Sequence, residues 1–280
     1  TWSEDWDQGH GFKPVAGFAP HGAFSTTSYD GFNSGTFVTS DSLLKVECTW
    51  WAPKHADSCN FIVLRSRFFP YTIGSSVSNL QLGLVADWDI PSDTTGNVGG
   101  TDNTRRMVYM RGFNSGDTVT DCADNSKRNG GMALLNWHLK NKSCFDSLYN
   151  AVTFQNQIYV YGGVEADSMS RLMSVAGYIN EPATTDLSAL LTVRNNWTLP
   201  ANDTLTIFTA LATTKPNSTN TNTGLDTLRK YIDKAKEFMK KDLGFCASCC
   251  VGVTGNVNMA GIVDLSDLSA LVSYVTGGGY

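Results

Sequence analysis

The chain has 280 residues, 41% of them hydrophobic and only 17% charged, with a formal net charge of −5. Its 21 Asp against 5 Glu, its 26 Gly and its many Thr and Asn favour turns and strands and exclude an all-helical protein. The apolar share excludes wholesale disorder, the acidic balance without a Lys/Arg cluster excludes a nucleic-acid partner, and no apolar run approaches the roughly 18 residues of a membrane span.

Residues 1–34, rich in Gly, Asp, Ser and aromatics without a period, are expected to form an extended N-terminal arm. Thr1 is not an initiator Met, which fits a secreted chain whose signal peptide has been removed. Residues 35–212 then carry short apolar runs divided by turn residues: Gly35–Thr39, Leu43–Trp51, Phe61–Phe68, Leu80–Trp88, Met107–Arg111, Met132–Trp137, Val152–Tyr161, Arg171–Ala176 and Thr204–Ala212. Leu80, Leu82, Leu84 and Ala86 share one face of their run. In Phe61–Phe68, Ile62, Leu64 and Phe68 share a face, while Arg65 and Arg67 belong to the other. A series of short strands with no helix between most of them predicts a mainly β protein, an antiparallel β-sandwich.

Residues 213–245 read as a linker and an amphipathic helix. Leu225, Leu228, Tyr231, Ile232, Ala235, Phe238, Met239 and Leu243 form one helical stripe, expected to pack back on the sandwich. Thr223 with Asp226 resembles a capping box, Lys240 and Lys241 suit the last turn, and Gly244 offers the stop.

Seven cysteines indicate an oxidising, extracellular setting. Proximity suggests Cys48–Cys59, Cys122–Cys144 and one bridge among Cys246, Cys249 and Cys250, with one thiol left over; a metal site at that last cluster is the rival reading. Asn141, Asn196, Asn202 and Asn217 head N-x-S/T sequons, acceptors if the protein is glycosylated.

Residues 246–280 carry the most specific spacing. A twelve-residue calcium loop needs oxygen ligands at positions 1, 3, 5, 9 and 12, Gly at 6 and a backbone carbonyl at 7. With Asn256 as position 1, Asn258 falls at 3, Gly261 at 6, Ile262 at 7, Asp264 at 9 and Asp267 at 12, while Ala260 at 5 cannot ligate. Leu265, Leu268, Leu271, Val272 and Val275 then repeat at helical spacing. This tail resembles a dockerin-type repeat, a calcium loop followed by a Leu-rich helix, which here is single and has Asn in place of Asp at positions 1 and 3. The resemblance implies a small helical tail with calcium as its cofactor. It covers about 25 residues, a tenth of the chain.

A second set is Asp87, Asp89, Asn97 and Asp102, followed by Arg105 and Arg106. Alternate carboxylates at a strand end point to one side, so the set could cage a cation, form a catalytic pair or bind the arginines. The stretch, with Gly130–Leu135 and the Cys249-Cys250-Val251-Gly252 tail, is similar to sandwich domains near the C-termini of secreted bacterial proteins.

There is no H-E-x-x-H, G-x-S-x-G, P-loop or dinucleotide pattern, and His10, His21, His55 and His138 are scattered. Asp87/Asp89 or Glu47/Glu165 could be nominated as a glycosidase pair on residue type alone. Trp50, Trp51, Trp88, Trp137 and Trp197 are candidates for stacking on sugars or for the core. The expectation drawn from all this is a secreted, non-enzymatic structural protein. It would self-assemble into an extracellular filament or surface layer through its arm and tail, as a homo-oligomer or homopolymer. A carbohydrate-binding or cell-surface adhesion module with a glycan partner, and a glycoside hydrolase using Asp pairs, are the alternatives.

Overall fold

The computed structural model describes residues 13–14, 22–55, 60–88, 97–112, 129–140, 142–155, 159–160, 163–164, 166–182, 185–214 and 221–246. They form two sheets packed face to face. The larger has nine strands. Its order runs β1 (Lys13–Pro14), β3 (Tyr29–Val38), β4 (Leu44–Pro53), β5 (Phe61–Pro70), β15 (Leu205–Thr214), β9 (Asn129–Leu139), β8 (Met107–Gly112), β7 (Asn97–Asp102), and β2 (Gly22–Ser25) also pairs with β3. The smaller sheet is ordered β13 (Gly177–Ile179), β10 (Asn150–Gln155), β14 (Leu187–Leu199), β6 (Val77–Asp87), and β11 (Tyr159–Val160) with β12 (Gly163–Val164) makes a minor hairpin. The pairings of the two large sheets are antiparallel except β10 with β13. The protein is a mainly β, antiparallel sandwich with a C-terminal helix.

Leu44, Leu80, Leu82, Leu134, Trp137, Val193, Leu199, Leu205 and Ile207 fill one part of the space between the sheets. Val108, Met110, Met132, Ala151, Leu187, Ala189 and Leu191 fill the other. Each such side chain contributes about 1.5–3 kcal/mol on full burial. Both sheets also bury apolar residues on their outer faces, under a helix apiece. Helix α1 (Ala166–Ser174) lays Met169 and Met173 on Val152, Phe154 and Leu190 of the smaller sheet. Helix α2 (Thr221–Lys241) lays Leu228, Ile232, Ala235, Phe238 and Met239 on Phe61, Val63, Ala133, Leu135, Ala210 and Ala212 of the larger. The layers therefore run helix, sheet, sheet, helix.

Strand β9 lies at the middle of this stack and is buried continuously from Asn129 to Trp137. A bulge helps it serve both faces. Phe208 pairs with Asn136 and Thr209 with Leu134, leaving Leu135 as the extra residue, which turns outward beneath α2. Gly99 solves a different problem, the close approach of β7 to the smaller sheet: a Cβ there would lie 2.6 Å from the side chain of Thr153.

Several expectations need correction. Residues 171–176, read as a strand, belong largely to α1, where Met169, Leu172 and Met173 take the helical spacing of three and one. Strand β14, the longest among the described residues, is not among the expected strands; its run Leu187–Val193 is buried on both faces and so does not alternate. Helix α2 starts at Thr221, which leaves Thr223 inside the helix rather than capping it, and Asp226 pairs with Arg229 at 3.0 Å instead. The expected stop holds: Gly244 has φ of 70°, and just past it the Phe245 N–H donates back to the Met239 carbonyl at 3.0 Å. Cys144 is bonded to Cys246, 102 residues away, and not to Cys122; Cys122, Cys59, Cys249 and Cys250 lie outside the described residues. Proximity in sequence misled because the loop after β9 and the end of α2 meet only in the folded chain. Cys48 Sγ lies 3.8 Å from Ser66 Oγ.

Candidate binding groove

Helix α2 covers only part of the outer face of the larger sheet. Beyond its C-terminal end, four adjacent strands change character together on that face. On β4, Trp51 gives way to Thr49, Glu47 and Lys45; on β5, Phe61 and Val63 give way to Arg65 and Arg67. On β15, Ala212 and Ala210 are followed by Phe208 and Thr206, and on β9 Leu135 is followed by Asn136 and His138. Strand register aligns these residues in rows. Glu47 opposes Arg67, Arg67 opposes Thr206 and Thr206 opposes His138, while the next row is Thr49, Arg65, Phe208 and Asn136. The result is an open groove of about 790 Å³ with an aromatic floor and charged walls.

Its cations are Lys45, Arg65, Arg67 and Lys140 and its carboxylates Glu47 and Asp203, a local balance of two positive charges in an acidic chain. Both carboxylates are engaged. Glu47 accepts from Arg67 at 2.9 Å and from the Thr36 hydroxyl at 3.3 Å. Asp203 Oδ1 accepts from the backbone N–H groups of Lys140 at 3.0 Å and Thr204 at 2.7 Å, fixing the turn before β15. Lys45 Nζ sits 5.5 Å from the centre of the Tyr71 ring, and among the described residues neither Lys45 nor Lys140 has a carboxylate partner.

Arg65 is held most tightly. It donates to Thr49 Oγ1 at 2.9 Å and lies over the rings of Trp51 (5.3 Å) and Phe245 (5.5 Å). Its Nε is buried with no acceptor among the described residues. Burial, with the charge of Arg67 second, lowers its pKa from the ordinary arginine value, and Glu47 opposes the shift. Phe245 forms the end wall between Trp51 (5.6 Å) and Phe208 (4.9 Å). Gly244 turns the chain toward the sheet there, and the Cys144–Cys246 bridge fastens the next residue.

The residues nominated from sequence are placed elsewhere. Asn97 and Asp102 stand at opposite ends of β7, five residues and roughly 17 Å apart, so they do not converge on one cation. Asp102 is buried and clamps α2: it accepts from Arg229 at 2.9 Å and Arg105 at 3.3 Å, and Arg105 also reaches Asp233 at 2.8 Å. Burial raises the Asp102 pKa, but the bonds from Arg229 and Arg105 outweigh it and leave a net depression. Asn97 is fully buried and donates Nδ2 to the Trp88 carbonyl at 3.4 Å, and Asp87 is exposed at the end of β6. Asp89, Glu165, Asn141, Asn217, His10, His21 and the calcium-loop residues Asn256, Asn258, Ile262, Asp264 and Asp267 lie outside the described residues.

Of the nominated tryptophans, Trp51 and Trp137 are core residues, and Trp50, Trp88 and Trp197 are half-buried. Asn196 and Asn202 are exposed, with φ of 47° and 60°. Of the groove residues, Glu47, His138 and Asn202 carry other roles in the sequence reading, and Lys45, Lys140 and Phe245 carry none. The one usable signal was the placement of Arg65 and Arg67 on the face of β5 opposite its apolar set.

No family model matches the chain, and no curated protein matches it. Among solved structures it is similar to a putative kojibiose phosphorylase from the human microbiome, at 12% identity and a TM-score of 0.37, over 75% of this chain and 23% of that one. The chain thus spans less than a quarter of that protein's length, and a likeness at this level bears on neither activity nor ligand.

Proposed function

We propose that this protein is a non-enzymatic, extracytoplasmic binding module that holds an acidic polysaccharide in the groove on its larger sheet. One observation carries the reading: both groove carboxylates are engaged by the protein's own donors, while among the described residues neither Lys45 nor Lys140 has a carboxylate partner. A polyanion supplies what those cations lack, and the braced arginines and aromatic floor give it a pre-formed surface. The disulfide supports an oxidising compartment. The self-assembly expectation rests on the arm and tail. Of the arm, residues 13–14 and 22–34 are described: Lys13–Pro14 and Gly22–Ser25 pair with β3 of the same chain, which itself begins within the arm at Tyr29, and the tail lies outside the described residues, so the groove carries the proposal.

The test is titration calorimetry with polygalacturonate, a sulfated polysaccharide and neutral dextran. Binding to the acidic polymers alone, weakening as salt rises, is expected. Lys45→Gln and Lys140→Gln should each cost about 0.5–1.5 kcal/mol of affinity. Equal binding to dextran, or affinity indifferent to both substitutions, sinks the proposal.

A further inference from the structure

Four connections meet at the end of the sandwich beside the groove: residues 39–43, 71–76 and 200–204, and the turn that holds Lys140 and Lys142. Hydrogen bonds tie them together. The Tyr71 N–H donates to the Leu43 carbonyl at 2.8 Å, the Gly74 N–H to Asn202 Oδ1 at 3.2 Å, and the Lys140 N–H to Asp203 Oδ1 at 3.0 Å. This braced end carries three of the largest exposed apolar side chains: Leu43 at 50% exposure, Tyr71 at 41% and Ile73 at 89%. Lys45 lies 5.5 Å from the centre of the Tyr71 ring, Lys140 lines the groove together with Ile73, and Lys142 stands in the turn after β9, where its N–H donates to the Leu139 carbonyl. The acids at this end are occupied: Asp203 holds the two backbone N–H groups described above, and Asp41 Oδ1 accepts from the Leu43 N–H at 3.0 Å and from the Thr39 hydroxyl.

We infer that this end docks on a membrane surface rich in anionic lipid, with Leu43, Tyr71 and Ile73 entering the headgroup–acyl boundary and the lysines meeting lipid phosphates. Charge and shape select this partner. A second copy presenting the same end would set lysines against lysines. The apolar groups stand on projecting loop tips, with open space around Gly74 beside Ile73, and tips of that kind suit a deformable apolar phase rather than a complementary pocket. Both unlike features, apolar tips and a cationic rim, are what an anionic bilayer satisfies together. The inference is argued separately from the polysaccharide reading, although Lys45, Lys140 and Ile73 belong to both surfaces.

The experiment is co-sedimentation of the full chain with vesicles of phosphatidylcholine alone and of phosphatidylcholine with phosphatidylglycerol, alongside light scattering of the protein without lipid. Binding to the phosphatidylglycerol vesicles only, reduced by salt, is expected. Leu43→Asp and Ile73→Asp should each lower partitioning about tenfold with unchanged melting temperature, since both side chains are already exposed. Lys142→Gln, outside the groove lining, should lower it about fivefold. No sedimentation with anionic vesicles overturns the inference. So does sedimentation that ignores both Asp substitutions, or a dimer in solution that Ile73→Asp dissolves, which would make the loop end a protein contact. Failure of polysaccharide binding with vesicle binding intact removes only the groove reading.

Discussion

Removing the Cys144–Cys246 bridge is the most direct test of how this fold is fastened. The bond spans 102 residues of sequence, and closing a loop of about that size removes unfolded-chain entropy worth roughly 4–5 kcal/mol in the chain-entropy model. Structure retained by the unfolded chain lowers the return, so a loss of about 3 kcal/mol is expected for the double variant Cys144→Ser/Cys246→Ser. For a chain of this size that corresponds to a fall in Tm of about 6–12 °C. The effect has a location as well as a size. Cys144 adjoins Phe145, which stacks on Trp137 at 4.6 Å, and Cys246 follows Phe245, which packs on Phe208 and Trp51. The bridge therefore joins the loop after β9 to the end wall of the groove, and its loss should also weaken polysaccharide binding. Urea unfolding measures the first effect and calorimetry the second. A non-reduced digest should contain the peptide linking Cys144 to Cys246. Unchanged stability in the variant, or a digest linking Cys144 to Cys122, refutes the reasoning.

Two further outcomes follow from single residues. Asp102→Asn should cost about 1–3 kcal/mol by weakening the clamp on α2. Because Asp102 has a depressed folded-state pKa, its contribution is present above the ordinary Asp value near 3.9 and is lost as pH falls through the folded value; the stability gap between wild type and variant should therefore close below about pH 4, read by thermal melts across pH. Gly99→Ala should destabilise by about 1–3 kcal/mol in urea melts, since the added methyl meets the buried Thr153 side chain, whose Oγ1 is already held by the Glu181 N–H at 2.8 Å. A neutral result there would mean that the two sheets part locally at small cost.

Legibility varied with how local each signal was. The stripe from Leu225 to Leu243 predicted α2 and its contact with the sandwich because a helix that carries eight apolar residues on one face has to bury them. Leu80, Leu82, Leu84 and Ala86 alternate because β6 has one face on the core and one face largely toward solvent. Strand β14 hid for the opposite reason: α1 covers its outer face, so polar residues are scarce on both sides of Leu187–Val193. The run 171–176 was misread because Met169, the residue that completes the helical spacing of α1, lay outside the window. For the site, the sequence showed Arg65 and Arg67 on one face of a strand and no more. Lys45, the pair His138 and Lys140, and Phe245 come from three other places in the chain and share no local pattern.

Composition and period thus determined by themselves that this is a β protein with a C-terminal amphipathic helix, because turn propensity, alternation and helical spacing are properties of neighbouring residues. Tertiary structure alone decided where α2 stops covering the sheet, which cysteine Cys144 meets, and which charges share the groove. Those depend on strand order and register, in which β15 inserts between β5 and β9 and brings residues more than a hundred positions apart into one row.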